Sequence, residues 1–235
     1  MNFESTEDMT RGEHFNILIY SKPGGGKTST TKYLEGNTVL LDIDGTRKVL
    51  SGEKGIKATP IDRNNPEKSM GTFYKYVLDN IDDIDNVVLD NLTHYQKLWF
   101  IHRGSMTKSG MPEIKDYGLF ENHLIKFIDT MNSLPVNVVY TAWETTHEIQ
   151  TEEGQTYHQF LPDLRPKVVS HVMGIVSVVA RLITSTKDRN RYFILRESNG
   201  TFAKNQLDDR EYTAQAELFN FGSEEVTEDS GVSDD

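Results

Sequence analysis

Lys27 and Thr28 follow three consecutive glycines in NILIYSKPGGGKTST (16–30), at the point where an oily run turns polar. A lysine and a hydroxyl placed directly after a glycine cluster suit a polyphosphate. Glycines let backbone N–H groups turn toward phosphate oxygens, the ammonium reaches the outer phosphates, and the hydroxyl ligates Mg²⁺. The spacing is that of G-x-x-x-x-G-K-[ST], except that Ser21 stands at the first glycine position. Serine is small enough for a strand exit but resists a positive φ. The oxygen contacts are therefore expected from Gly24, Gly25 and Gly26, within a loop made of Ser21, Pro23, the three glycines, Lys27, Thr28 and Ser29.

Such a loop needs a metal-holding acid and a group that orients water. NVVLD (86–90) is a second oily run, and it ends in Asp90, the expected Mg²⁺ partner of Thr28. NTVLLDID (37–44) ends in Asp42 and Asp44; Asp44 is the first candidate base. Glu144 follows the apolar PVNVVYTAW (135–143) and is the second candidate, or a sensor of the terminal phosphate. The histidines show no ligand spacing, and no metal is expected on them.

The elements that must position these residues follow from hydrophobic period. Strands are predicted over 14–20, 37–44, 86–90 and 135–143, with helices over 27–34, 66–81, 91–103 and 117–132. A polar loop spans 104–116. ETTHEIQTEEGQTYHQFLPDL reads as a hairpin or a long loop, and RPKVVSHVMG as a short helix. GIVSVVARLIT and RYFILRE read as antiparallel strands, with TFAKNQ as a third. Strands alternating with helices, then a meander, imply a mainly parallel α/β sheet flanked by helices with an antiparallel C-terminal extension.

The 235 residues carry a net charge of −11 and no cysteine, which excludes disulfides and a globally basic nucleic-acid binder. The charge is uneven. Residues 161–210 hold nine Lys/Arg against five Asp/Glu, whereas the stretch from 211 onward holds eight acids and no Lys or Arg. The chain divides into a flexible segment at 1–13, a core at 14–210 and an acidic, disordered tail at 211–235. The acidic start and the lack of a long apolar run point to a cytoplasmic protein without membrane spans.

The order of phosphate loop, acid after strand two, LDNLTH, lysine-bearing loop, TAWE, long loop, LRPK and AKNQ resembles the RecA-core P-loop ATPases. It is closer still to the small phage nucleotide-binding proteins of the single-strand annealing recombinase type. The resemblance covers residues 14–210 and implies a RecA-like core that uses ATP and Mg²⁺ to act on single-stranded DNA in recombination, annealing or repair. It implies that Asp44 is the catalytic acid and Glu144 a nucleotide-sensing switch. Residues 104–116 and 145–166 correspond to two DNA-binding loops, with Lys108, Lys115, Arg165 and Lys167 as phosphate contacts. Lys204 corresponds to a cationic finger that reaches a neighbouring subunit's nucleotide, hence a filament or ring, with a single-strand-binding protein as a further partner. His147, Tyr157, His158 and Phe160 would offer flat faces to bases, although aromatics alternating on a hairpin are more often packing. Two other readings stay open: a phosphotransferase acting on a small molecule, and a nucleotide-gated binding module with little hydrolysis.

Overall fold

The computed structural model describes residues 14–150 and 154–221. The expected segments 1–13 and 222–235, and the acidic hairpin tip at 151–153, lie outside the described residues. The core is one sheet in the order β10-β8-β7-β1-β5-β4-β2-β3, with β6 paired to β5 and β9 to β7. The six strands β1 (Asn16–Ser21), β2 (Thr38–Asp42), β3 (Ile56–Pro60), β4 (Asn86–Asp90), β5 (Asn137–Gln150) and β7 (Val178–Thr184) run parallel. β6 (Thr156–Pro162), β8 (Arg191–Ile194), β9 (Lys204–Asn205) and β10 (Tyr212–Ala214) pair antiparallel. The sheet is mixed and mostly parallel, with the antiparallel strands at its C-terminal side, as the alternation of strands and helices followed by a meander predicted.

The central strands are continuous apolar runs because both faces are covered. Leu18 and Tyr20 of β1 face one core, together with Leu41, Leu89 and Tyr140. That core is roofed by α2 (Pro66–Asp79), α3 (Leu92–Ser105), α4 (Ile114–Asn132) and α5 (Pro166–Ile175). Met70, Phe73 and Val77, spaced for one helix stripe, bury the inner face of α2, and Pro66 opens it at a position where no N–H is missed. Ile17 and Ile19 point to the opposite face. Among the described residues no long helix covers that side. Its cover is Leu34, Leu50, Phe193, Leu195 and the C-terminal Leu218, with Phe219 and Phe221 packed against Phe15.

That second face corrects the expected boundary at 211. Residues 212–214 form β10 on β8, and Leu218 is fully buried, so the core extends to Phe221, the last described residue. Two loop expectations also change. The 104–116 loop shortens to 106–113, because α4 starts at Ile114 behind a capping box formed by Glu113 and Asp116. β3 escapes a hydrophobic reading because it is the sheet edge, with four of its five residues exposed.

Candidate functional site

The phosphate loop leaves the end of β1. α1 (Lys27–Thr30) is a single turn that tightens into a 3-10 turn at Thr31–Tyr33, shorter than the expected helix over 27–34. Positive φ occurs at Gly24 (76°) and Gly26 (105°), while Ser21 takes an ordinary conformation. The missing first glycine therefore costs the backbone nothing. The serine has a counterpart in Gly25, where an added Cβ would lie 2.4 Å from Ser21 Oγ. The hydroxyl occupies space that the second glycine leaves vacant.

Lys27 is buried and folded back on the strand exit. Its Nζ donates to Ser21 O (3.2 Å), Ser21 Oγ (3.3 Å) and Lys22 O (3.3 Å). Burial pushes its pKa below the usual lysine value, against the opposing pull of Asp90, Asp44 and Glu144. A buried ammonium held by three neutral oxygens is poised for an anion that would repay its desolvation.

Asp90 ends β4 in register with Asp42 at the end of β2. Its carboxylate accepts from Thr28 Oγ1 and Thr141 Oγ1, and from Thr46 Oγ1 at 3.3 Å. Thr28 and Thr46 hydroxyls are 2.9 Å apart. One carboxylate with two converging hydroxyls is a hard, oxygen-only donor set, which suits Mg²⁺ completed by phosphate and water. Among the described residues no group of three His, Cys, Asp or Glu could hold a metal, so Mg²⁺ would depend on the phosphates. Thr28, Thr46 and Asp90 would hold it, and the ion would supply charge neutralisation of the phosphate chain.

The two aspartates after β2 have different jobs. Asp42 is fully buried; its Oδ1 accepts from the N–H groups of Gly45 and Thr46 at 2.9 Å each, and Oδ2 pairs with Arg47 at 2.8 Å. It fixes the turn that aims Asp44 and Thr46. Asp44 lines the cavity. Its Oδ1 lies 2.9 Å from His94 Nδ1, and its Oδ2 accepts from Asn91 Nδ2. Burial, then the nearby Asp90 charge, pushes its pKa up. His94 stacks on Trp143, whose other partner is the Lys97 ammonium 4.1 Å from the ring centre. Asn91 caps α3 by accepting from His94 N at 2.7 Å. Asp44 therefore works as a pair with His94.

A cavity of about 440 Å³ is lined by the loop together with Asp44, Thr46, Asp90, His94, Trp143 and Arg191. Glu144 is not among its walls; its carboxylate pairs with Arg181 at 3.1 Å. That guanidinium also lies 3.5 Å from the centre of the Phe160 ring and donates to Thr201. Phe160 is thereby a packing residue, not a free face. Lys204 lies on the half of β7 away from the loop, paired with Val179, and its Nζ donates to Gly174 O at 3.0 Å.

The four expected DNA contacts diverge. Arg165 Nε pairs with Glu121 at 2.8 Å, its guanidinium lies over Tyr117, and its N–H donates to Gln96. It staples the hairpin exit to α3 and α4. Lys167 shares Glu121 at 3.6 Å, and Lys115 pairs with Glu113 at 2.6 Å. Lys108 has no carboxylate partner among the described residues.

Sequence reasoning missed Thr46, His94, Arg191 and Gln215. Gln215 Nε2 donates to Gly26 O (3.0 Å) and Thr30 Oγ1 (2.9 Å), tying the C-terminal segment to the phosphate loop. No spacing signals it, since 189 residues separate the partners. The hydroxyl and imidazole within GTR and LDNLTH were visible but had no period to mark them.

A phosphate loop on a central parallel strand, with an acid–hydroxyl cluster one strand removed, defines the class of P-loop nucleotide-binding folds. The chain belongs to the AAA domain family, which matches it over residues 13–207. Among solved structures it is similar to a KaiC-like protein from the hyperthermophilic archaeon Pyrococcus horikoshii OT3. That similarity is 13% in identity with a TM-score of 0.42, covering 78% of each chain. No curated protein sequence matches it. Among the described residues no helix is long and apolar enough to cross a membrane.

Proposed function

We propose that the chain is an Mg²⁺-dependent ATPase whose nucleotide state governs self-assembly and binding to single-stranded DNA, in recombination, annealing or repair of phage DNA. The observation that carries the hydrolytic part is the convergence of Lys27, Thr28, Thr46 and Asp90 beside the Asp44–His94 pair. Lys27 neutralises the outer phosphates. Asp44 holds the His94 ring, and the pair orients and deprotonates the attacking water.

The route from nucleotide to DNA starts at Tyr20, one residue before the loop. Its hydroxyl donates to Phe160 O (3.0 Å) and Phe202 O (2.6 Å), so β1 grips the strand of the hairpin. A shift at the loop is carried to β6, and through Arg165 to α3 and α4. Lys115 and Lys167 have side chains 71% and 81% exposed; the open Lys115–Glu113 pair contributes at most about 1 kcal/mol, and Lys167 shares Glu121 with Arg165 at the longer distance of 3.6 Å. Their carboxylates are exchangeable for DNA phosphates, and Lys108 needs no exchange. Arg165, more enclosed, stays a staple.

Self-assembly is supported by the free edge of β3. Lys57, Ala58, Thr59 and Pro60 form a groove with Phe73 and Tyr76 of α2, where an unpaired strand edge and apolar side chains invite a second copy. The Lys204 finger would have to leave Gly174 O to reach a neighbour.

The test is affinity for a fluorescent oligonucleotide at low salt with ATP analogue, with ADP and with neither. Nucleotide-dependent binding that weakens steeply with salt is expected. Equal, weak binding in all three states removes the DNA part. It would favour the phosphotransferase reading, for which the paired cations and a lid-like hairpin already speak.

A further inference from the structure

Arg191 opens β8 opposite Thr184, and its guanidinium lies flat against the phosphate loop. An added Cβ on Gly26 would meet Nη1 at 2.6 Å, Cζ at 2.7 Å and Nε at 2.9 Å. The side chain is a wall of the same cavity as Lys27, Asp44 and Asp90. Among the described residues no carboxylate pairs with it. The nearest acid in sequence, Asp188, is held elsewhere: Tyr192 Oη donates to it at 2.7 Å, and Asn190 donates from N (3.0 Å) and Nδ2 (3.1 Å). Tyr192 in turn stacks on Tyr212 with ring centres 4.8 Å apart, so the turn that carries Arg191 is braced by the C-terminal segment.

A guanidinium stays charged at any ordinary pH, and its planar fork suits phosphate oxygens. One left without a carboxylate, at the mouth of a polyphosphate cavity, lacks only an anion. We infer that Arg191 is a phosphate ligand supplied by the chain to its own nucleotide, closing on the phosphate chain beside Gly26 in the cavity that Lys27 also lines. It provides the second cation within one subunit, whether or not a neighbour contributes Lys204. The inference rests on the nucleotide reading of the loop.

The experiment measures ATP and inorganic tripolyphosphate, which has the phosphates and no base, against the full chain and Arg191→Gln, with Lys27→Met as control. Dilution sets a concentration at which the protein is monomeric. Arg191→Gln should weaken both ligands by the same factor, about ten- to a hundredfold, as loss of a charge-assisted contact does. Arg191→Lys should recover part of it. Unfolding of the apo protein should be unchanged by the glutamine. Unchanged affinity for tripolyphosphate overturns the inference, whether ATP weakens (a base or ribose contact) or does not (a packing role). If Lys27→Met leaves ATP binding intact, the nucleotide reading fails. If it abolishes binding while Arg191→Gln binds tripolyphosphate as tightly as the parent, only the present inference fails.

Discussion

Ser21 and Gly25 are a matched pair, and separating them should damage the phosphate loop in a predictable way. Gly25 has no positive φ, so alanine is conformationally allowed there and only space opposes it. The new methyl would lie 2.4 Å from Ser21 Oγ and 3.0 Å from both Ser21 Cβ and Lys22 O. The first contact is about 1 Å inside ordinary van der Waals distance, so the serine must rotate. Rotation breaks the Oγ contacts to Lys27 Nζ (3.3 Å) and Lys22 O (3.1 Å). Overpacking costs about 1–3 kcal/mol and each lost hydrogen bond about 1, so Gly25→Ala should cost about 3 kcal/mol. If that strain falls wholly on the binding-competent loop, nucleotide affinity drops roughly a hundredfold. Ser21→Gly removes the same hydroxyl and its two hydrogen bonds but leaves Lys27 on Ser21 O and Lys22 O, so a loss of about 2 kcal/mol is expected. In the double variant two of the three close contacts vanish. The changes should therefore be non-additive, with about 1–2 kcal/mol recovered. Titration with a fluorescent nucleotide and urea unfolding of the apo protein give two independent cycles. Additivity within about 0.5 kcal/mol in both would refute the matched-pair argument.

Asp44→Asn should lower turnover at least about a hundredfold while nucleotide affinity changes only a few-fold, and His94→Asn should lower it by a smaller factor. Steady-state hydrolysis decides: an Asp44→Asn protein with wild-type turnover would leave the nucleotide-gated binding module as the better reading. His123 tests the α3–α4 packing. Its Nε2 sits 2.6 Å from the Tyr95 hydroxyl, and burial pushes its pKa below the ordinary histidine value. Because the folded pKa is the lower one, the stability linked to it is complete above about pH 6.5 and declines as pH falls, by at most about 1.4 kcal/mol per unit. His123→Gln should flatten that part of the acid limb in urea midpoints between neutral and acidic pH. A variant as acid-sensitive as the parent contradicts the burial argument.

What the sequence determined by itself is local. Two apolar runs ending in a glycine loop and in Asp90 announce a polyanion site, because backbone conformation and strand burial are written in a few adjacent residues. The same holds for α2 and for the β5–β6 hairpin, whose period and turn residues are contiguous. Other features were decided only when the chain closed. Asp42 and Asp44 are equivalent on paper; the turn hydrogen bonds bury one and present the other to His94. Arg165 and Lys167 look like free cations until α4 brings Glu121 beneath them. Residues 211–221 look like the start of a solvated tail, yet they cover a sheet face that has no long helix and hold the phosphate loop through Gln215. Apart from the local turn that buries Asp42, the deciding partner in each case is dozens of residues or more away, and pairing across that distance is a property of packing, which neither composition nor period encodes.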